Sequence, residues 1–79
     1  MAFDYSKLRG RITEKYGNEG NFAKAIGFAR STLSFKLNNK VYWTQPEINL
    51  ACQLLDIEDS EVTSYFFKPK VQEAERKEA

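Results

Sequence analysis

Residues 19–40 read EGNFAKAIGFARSTLSFKLNNK, and their spacing decides the fold. Phe22 and Ile26 fall on one face of a helix, and Ala23 beside them is small enough to let a second helix cross closely. Gly27 accepts the positive φ that a tight corner between helices demands. Phe28 fills the interior just past the corner, and Leu33 anchors the helix that follows. A small residue, a glycine and apolar anchors at these offsets spell a helix-turn-helix, whose second helix is built to enter the major groove of DNA. Few unrelated sequences satisfy all six positions together.

Helix signals extend to both sides of this corner. Asp4 is placed to cap a first helix, with Phe3 and Leu8 as a hydrophobic staple. Tyr5, Leu8, Ile12 and Tyr16 then recur at helical spacing until Gly17 stops the run. Gly10 inside that helix costs about 1 kcal/mol against alanine. Asn18 caps the second helix and Glu19 complements its dipole. The third runs from about Arg30 to Asn38; Ala29 stands where a hydroxyl cap is expected, and Ser31 is the alternative start. Asn38-Asn39-Lys40 closes it, asparagine being tolerant of left-handed backbone.

Val41-Tyr42-Trp43 is an apolar connection, and Thr44-Gln45-Pro46-Glu47 is a capping box with proline in the first turn of a fourth helix. Ile48, Ala51, Cys52 and Leu55 stripe that helix, and Asp59 or Ser60 opens a short fifth one holding Val62, Tyr65 and Phe66. The expected fold is all-α, a compact five-helix bundle over residues 1–68, followed by a charged, frayed tail over 69–79.

Composition narrows the function classes. The 79 residues suit one small domain, stabilised by helix packing or self-association, because Cys52 has no disulfide partner and the chain has no histidine for a zinc cluster. Cys52 itself reads as a small buried apolar side chain. No apolar run reaches signal-peptide or membrane-spanning length, so a cytoplasmic protein is expected. The net charge of +1 hides an asymmetry: residues 1–19 carry +1, residues 20–46 carry +4 with no carboxylate, and residues 47–79 carry −4. An acid-free basic stretch coinciding with a helix-turn-helix points to a DNA-facing surface. With no histidine, no Gly-rich phosphate loop and no nucleophile beside a base, the chain is not expected to be an enzyme or to need a cofactor, a metal or a small-molecule substrate.

The stretch 19–40, the aromatic connection after it, the Thr44-x-x-Glu47-Ile48 helix start and the terminal Tyr65-Phe66-Phe67…Lys70-Val71-Gln72 together resemble the small phage regulators of the Cro and repressor type, the Xre-like family. The resemblance spans residues 3–72. It implies a lambda-repressor-like DNA-binding bundle that acts as a homodimer on a pseudo-palindromic operator of phage or prophage genes. The chain departs from that pattern at Ala29 and at Lys36, the latter standing where the family has an apolar side chain.

On this expectation Arg30, Ser31, Ser34 and Phe35 contact bases, with Arg30 suited to bidentate pairing with guanine. Asn18 and Asn21 at the start of the second helix, with Thr32, Lys36, Asn38, Asn39 and Lys40, contact phosphates. Lys24 is either a phosphate contact or a solvated side chain. Val62, Tyr65, Phe66, Phe67 and also Val71 are the candidates for a dimer interface, or fold back on the monomer's own core. A competing expectation, sustained by the acidic C-terminal third, is a protein-interaction module. In that case an antitoxin or anti-repressor uses the helix-turn-helix fold to bind a protein.

Overall fold

In the computed structural model, which describes residues 2–69, the order is α1 (Ser6–Tyr16), α2 (Glu19–Ile26), α3 (Arg30–Leu37), α4 (Gln45–Leu55) and α5 (Val62–Phe66), with a single 3-10 turn at Asp59–Glu61 before α5. The tail expected over 69–79, Val71 included, lies from residue 70 onward outside the described residues. The molecule is an all-α five-helix bundle of the lambda-repressor-like helix-turn-helix architecture.

The corner between α2 and α3 forms as its sequence dictates. Asn18 accepts the Asn21 N–H at the head of α2, and Gly27 ends the helix at φ 85°. The N–H groups of Gly27 and Phe28 both return to the Ala23 carbonyl, at 2.9 Å each. Ala23 and Leu33 are buried where the helices cross. Helix α3 starts at Arg30 with no side-chain cap, so Ala29 rather than Ser31 precedes it. Its end turns through Asn39 at φ 64°.

Helix α1 begins later than its sequence suggests. Asp4 Oδ1 accepts both the N–H and the hydroxyl of Ser6, at 2.9 and 2.7 Å, so the cap acts from two residues ahead of the helix. Residues 3 and 4 are occupied elsewhere. The Asp4 N–H donates to the Lys68 carbonyl at 2.7 Å, and Phe3 forms an isolated antiparallel bridge with Pro69. The two ends of the described chain are therefore tied together.

Two basic residues of α1 serve the far end of α4. Arg11 donates to the carbonyls of Leu55 and Asp56 at 2.8 and 3.0 Å, and Lys15 pairs with Asp56 at 3.0 Å. These cations satisfy orphan carbonyls and face the negative end of the α4 dipole. Phe22, Phe66, Leu8, Ile12, Leu33 and Leu55 are the largest fully buried side chains, so all five helices contribute to one core. Cys52 is buried within it, and burial first, then the charge of Asp59, pushes its thiol pKa up. Among the described residues no helix is long and apolar enough to cross a membrane.

Two substitutions test this packing. A Cβ added at Gly10 would meet nothing within 4 Å, so Gly10→Ala should raise stability by about 0.5–1 kcal/mol, read as a higher urea midpoint. Phe66→Ala should cost about 3–5 kcal/mol. A core of this size supplies little more than that, so circular dichroism should find the variant largely unfolded at room temperature.

Candidate functional site

The polar side chains expected on phosphates are mostly spent inside the protein. Asn18 caps α2, and Asn21 donates its side-chain amide to the Tyr16 carbonyl at 2.8 Å. Asn38 accepts from Arg9 at 2.9 Å and donates to the Ser34 carbonyl and hydroxyl at 2.9 and 3.2 Å. The Asn39 amide pairs with both the N–H and the carbonyl of Phe3, at 2.8 and 2.9 Å, like a strand partner. The carbonyl oxygen of Asn18 and one amide N–H each of Asn21 and Asn39 are committed within the protein, as are both the oxygen and the nitrogen of the Asn38 side chain. Thr32 is half-buried, and only Lys40 of the phosphate set stands fully exposed without a side-chain bond among the described residues.

Arg9 was not singled out by the sequence, yet it holds this end of α3. Its guanidinium pairs with Glu19 at 2.6 Å and donates to the Leu37 carbonyl at 3.2 Å as well as to Asn38. A basic residue on an amphipathic helix carries no local sign of such a role, because its partners lie ten and almost thirty residues away.

Lys36 departs furthest from expectation. It is not a phosphate clamp, being only 4% exposed. Its ammonium pairs with Glu47 at 2.9 Å, donates to the Tyr42 carbonyl at 3.0 Å, and lies 5.5 and 6.0 Å from the ring centres of Phe28 and Trp43. Lys36 and Leu37 thus both pack inward, Lys36 at the place where the related pattern has an apolar residue. Across from it, burial pushes the Glu47 carboxyl pKa up. The Thr44 backbone N–H, the hydrogen bond and charge of Lys36 and the Thr44 side chain outweigh that, leaving the pKa below its ordinary 4.5. Glu47 also completes the capping box of α4 with Thr44.

What remains on the outer side of α3 is apolar and cationic. Phe35 is 47% exposed, and the Lys40 and Val41 N–H groups fold back onto its carbonyl at 2.8 and 3.4 Å. Val41 is 44% and Tyr42 76% exposed. Three of the five large hydrophobic side chains exposed among the described residues therefore lie in α3 and the turn that follows it. Arg30 and Ser31 are exposed at the start of α3, and Lys24 on α2. None of Lys24, Arg30 and Lys40 is paired with a carboxylate among the described residues. Ser34, half-buried and bonded to Asn38, is the least available of the four residues expected to reach bases.

The segment expected to dimerise turns inward instead. Tyr65 and Phe66 are buried in the monomer's own core, and Val62 packs against it. Phe66 meets Trp43 edge-on at 5.1 Å. Of that set's described residues Phe67 alone is exposed, and it packs edge-on against Phe3 at 5.8 Å. A chain this small draws rings such as Tyr65 and Phe66 into its own core. Among the described residues no group of three or more His, Cys, Asp or Glu side chains could hold a metal ion.

A family profile described as "Protein of unknown function (DUF739)" matches residues 1–69. No curated protein sequence matches the chain. Among solved structures, the chain is similar to the solution structure of the modulator of repression (MOR) of the temperate bacteriophage TP901-1 from Lactococcus lactis. The two are 46% identical, with a TM-score of 0.77 over 91% of this chain and 97% of that one. This likeness overturns the expectation of a DNA-binding Cro- or repressor-type protein that sits on its operator as a homodimer. The shared helix-turn-helix belongs in that relative to a protein that modulates repression, and the inward-bonded asparagines and Lys36 agree with the correction.

The Glu47 pKa sets an acid limit on this region. A carboxyl whose folded pKa is depressed adds stability that is complete above its unfolded pKa and vanishes as pH falls through the folded one. Thermal midpoints should therefore drop on acidification below about pH 4.5. Glu47→Gln should lower the midpoint at neutral pH and flatten that acid limb.

Proposed function

The chain belongs to the DUF739 family, and on that premise we propose that it is a non-enzymatic phage or prophage regulator that modulates repression by binding a protein, namely a repressor. It acts in the cytoplasm, as an anti-repressor that uses its helix-turn-helix fold as an interaction module. The outer side of α3 with the turn behind it is the docking face: Phe35, Val41 and Tyr42 at its centre, Arg30, Ser31 and Lys40 around them.

One observation carries this: Phe35 on α3, with Val41 and Tyr42 in the turn that follows, are three of the five large apolar side chains exposed among the described residues. A duplex offers such side chains little beyond an occasional thymine methyl. A protein surface rewards burying them, and aromatic and arginine side chains are the ones that dominate protein interfaces. The unpaired Lys40 and Arg30 supply the polar rim and orient the approach.

Isothermal titration of the purified chain against the repressor of the same phage or prophage tests the proposal. A defined complex is expected, and Phe35→Ala and Tyr42→Ala should each weaken it by about 1–2 kcal/mol, roughly five- to thirtyfold. In gel shifts the chain alone should leave operator DNA unmoved, and adding it should release the repressor's own shift. A tight, salt-sensitive operator shift by the chain alone, with no repressor complex, would overturn the proposal.

A further inference from the structure

Lys36 is the one charged side chain buried among the described residues, and packing gives no reason for it to be a lysine. Replacing a buried ion pair with apolar side chains of similar volume is commonly neutral or stabilising. A methionine or leucine at this position would fill the space without desolvating an ammonium. What an apolar side chain lacks is a hydrogen-bond donor, and the donor is used. Lys36 holds the Tyr42 carbonyl at 3.0 Å, while its partner Glu47 accepts the Thr44 N–H at 2.9 Å. The Lys36–Glu47 pair thus grips the connecting segment on both sides of Trp43, and itself closes at 2.9 Å.

Trp43 cannot do that work alone. Its ring packs against Phe28 and Phe66, at 6.0 and 5.1 Å between centres, but its buried Nε1 has no hydrogen-bond acceptor among the described residues. Tyr42 and Val41, on the outer side of the same segment, have no comparable burial to fix them. We propose that the buried Lys36–Glu47 pair is a positioning device that fixes residues 41–43 so that Tyr42 and Val41 are held in the arrangement the protein partner recognises. This rests on the docking role proposed above. Lys36 and Glu47 are positioning residues: neither touches the partner.

The pair can be removed with its volume and the helix cap retained. In Lys36→Met/Glu47→Gln, methionine replaces the lysine stem, and glutamine keeps an acceptor for the Thr44 N–H. Thermal midpoint, amide hydrogen exchange and affinity for the purified repressor are measured together, with Tyr42→Ala and Phe35→Ala as controls. The expected result is a midpoint at or above that of the unmodified protein, faster exchange confined to residues 41–44, and affinity reduced about tenfold. A pair with a merely structural role would move the midpoint and leave affinity unchanged well below it.

If the double variant binds like the unmodified protein while Tyr42→Ala loses affinity, the positioning role is wrong and the docking face stands. If Tyr42→Ala and Phe35→Ala both bind normally, the docking face is wrong and the positioning role falls with it. Should the double variant fail to fold, Lys36→Met alone, measured below its own midpoint, makes the same comparison, because it removes the hydrogen bond to the Tyr42 carbonyl and leaves the partly exposed Glu47 in the cap.

Discussion

The left-handed turn at Gly27 is the constraint on which the rest of the structure depends. With φ at 85°, it stops α2 after two turns and sends the chain back so that Leu33 of α3 packs where Ala23 leaves room. A side chain at that φ would be strained whatever the surrounding space. Once the corner is set, Phe28 and Trp43 are brought together over the core, and α4 can begin against the end of α3. The outer side of α3 is then left outside the core.

The treatment of polar groups on that surface separates this molecule from a DNA reader. A protein built to clamp phosphates keeps asparagine amides and lysines free at the ends of its recognition helix. Here the side chains of Asn38, Asn39, Asn18 and Asn21 bond to Ser34, to Phe3, to the head of α2 and to the Tyr16 carbonyl, and Lys36 goes inside. The result is a rigid frame with an apolar centre and a cationic rim. Of the four cations in the acid-free stretch that suggests DNA, one is internal in three dimensions: Lys36 belongs to the core.

Much of the architecture was legible beforehand. The Thr44–Glu47 capping box, the Gly17 and Gly27 stops and the apolar stripes of α1 and α4 all act within a few residues, so local spacing reveals them. The start of α1 was displaced because Asp4 and Phe3 answer to Lys68, Pro69 and Asn39, partners too distant in sequence to leave a local mark. Which side chains of α3 and α5 stand exposed was not legible. Phe35 was weighed as a base contact and Tyr65 and Phe66 as dimer contacts, since exposure cannot be read from composition when a ring stands near the end of a short chain.

By itself, then, the sequence determined the helices and the corner between α2 and α3, because capping, glycine backbone and 3.6-residue periodicity are properties of neighbouring residues. Only the tertiary structure decided which polar groups around that corner were already satisfied. The partners that satisfy them, Glu47 for Lys36, Arg9 for Asn38 and Phe3 for Asn39, are brought close by folding alone. A charge counts toward binding only when no such partner has taken it, and that is settled in space.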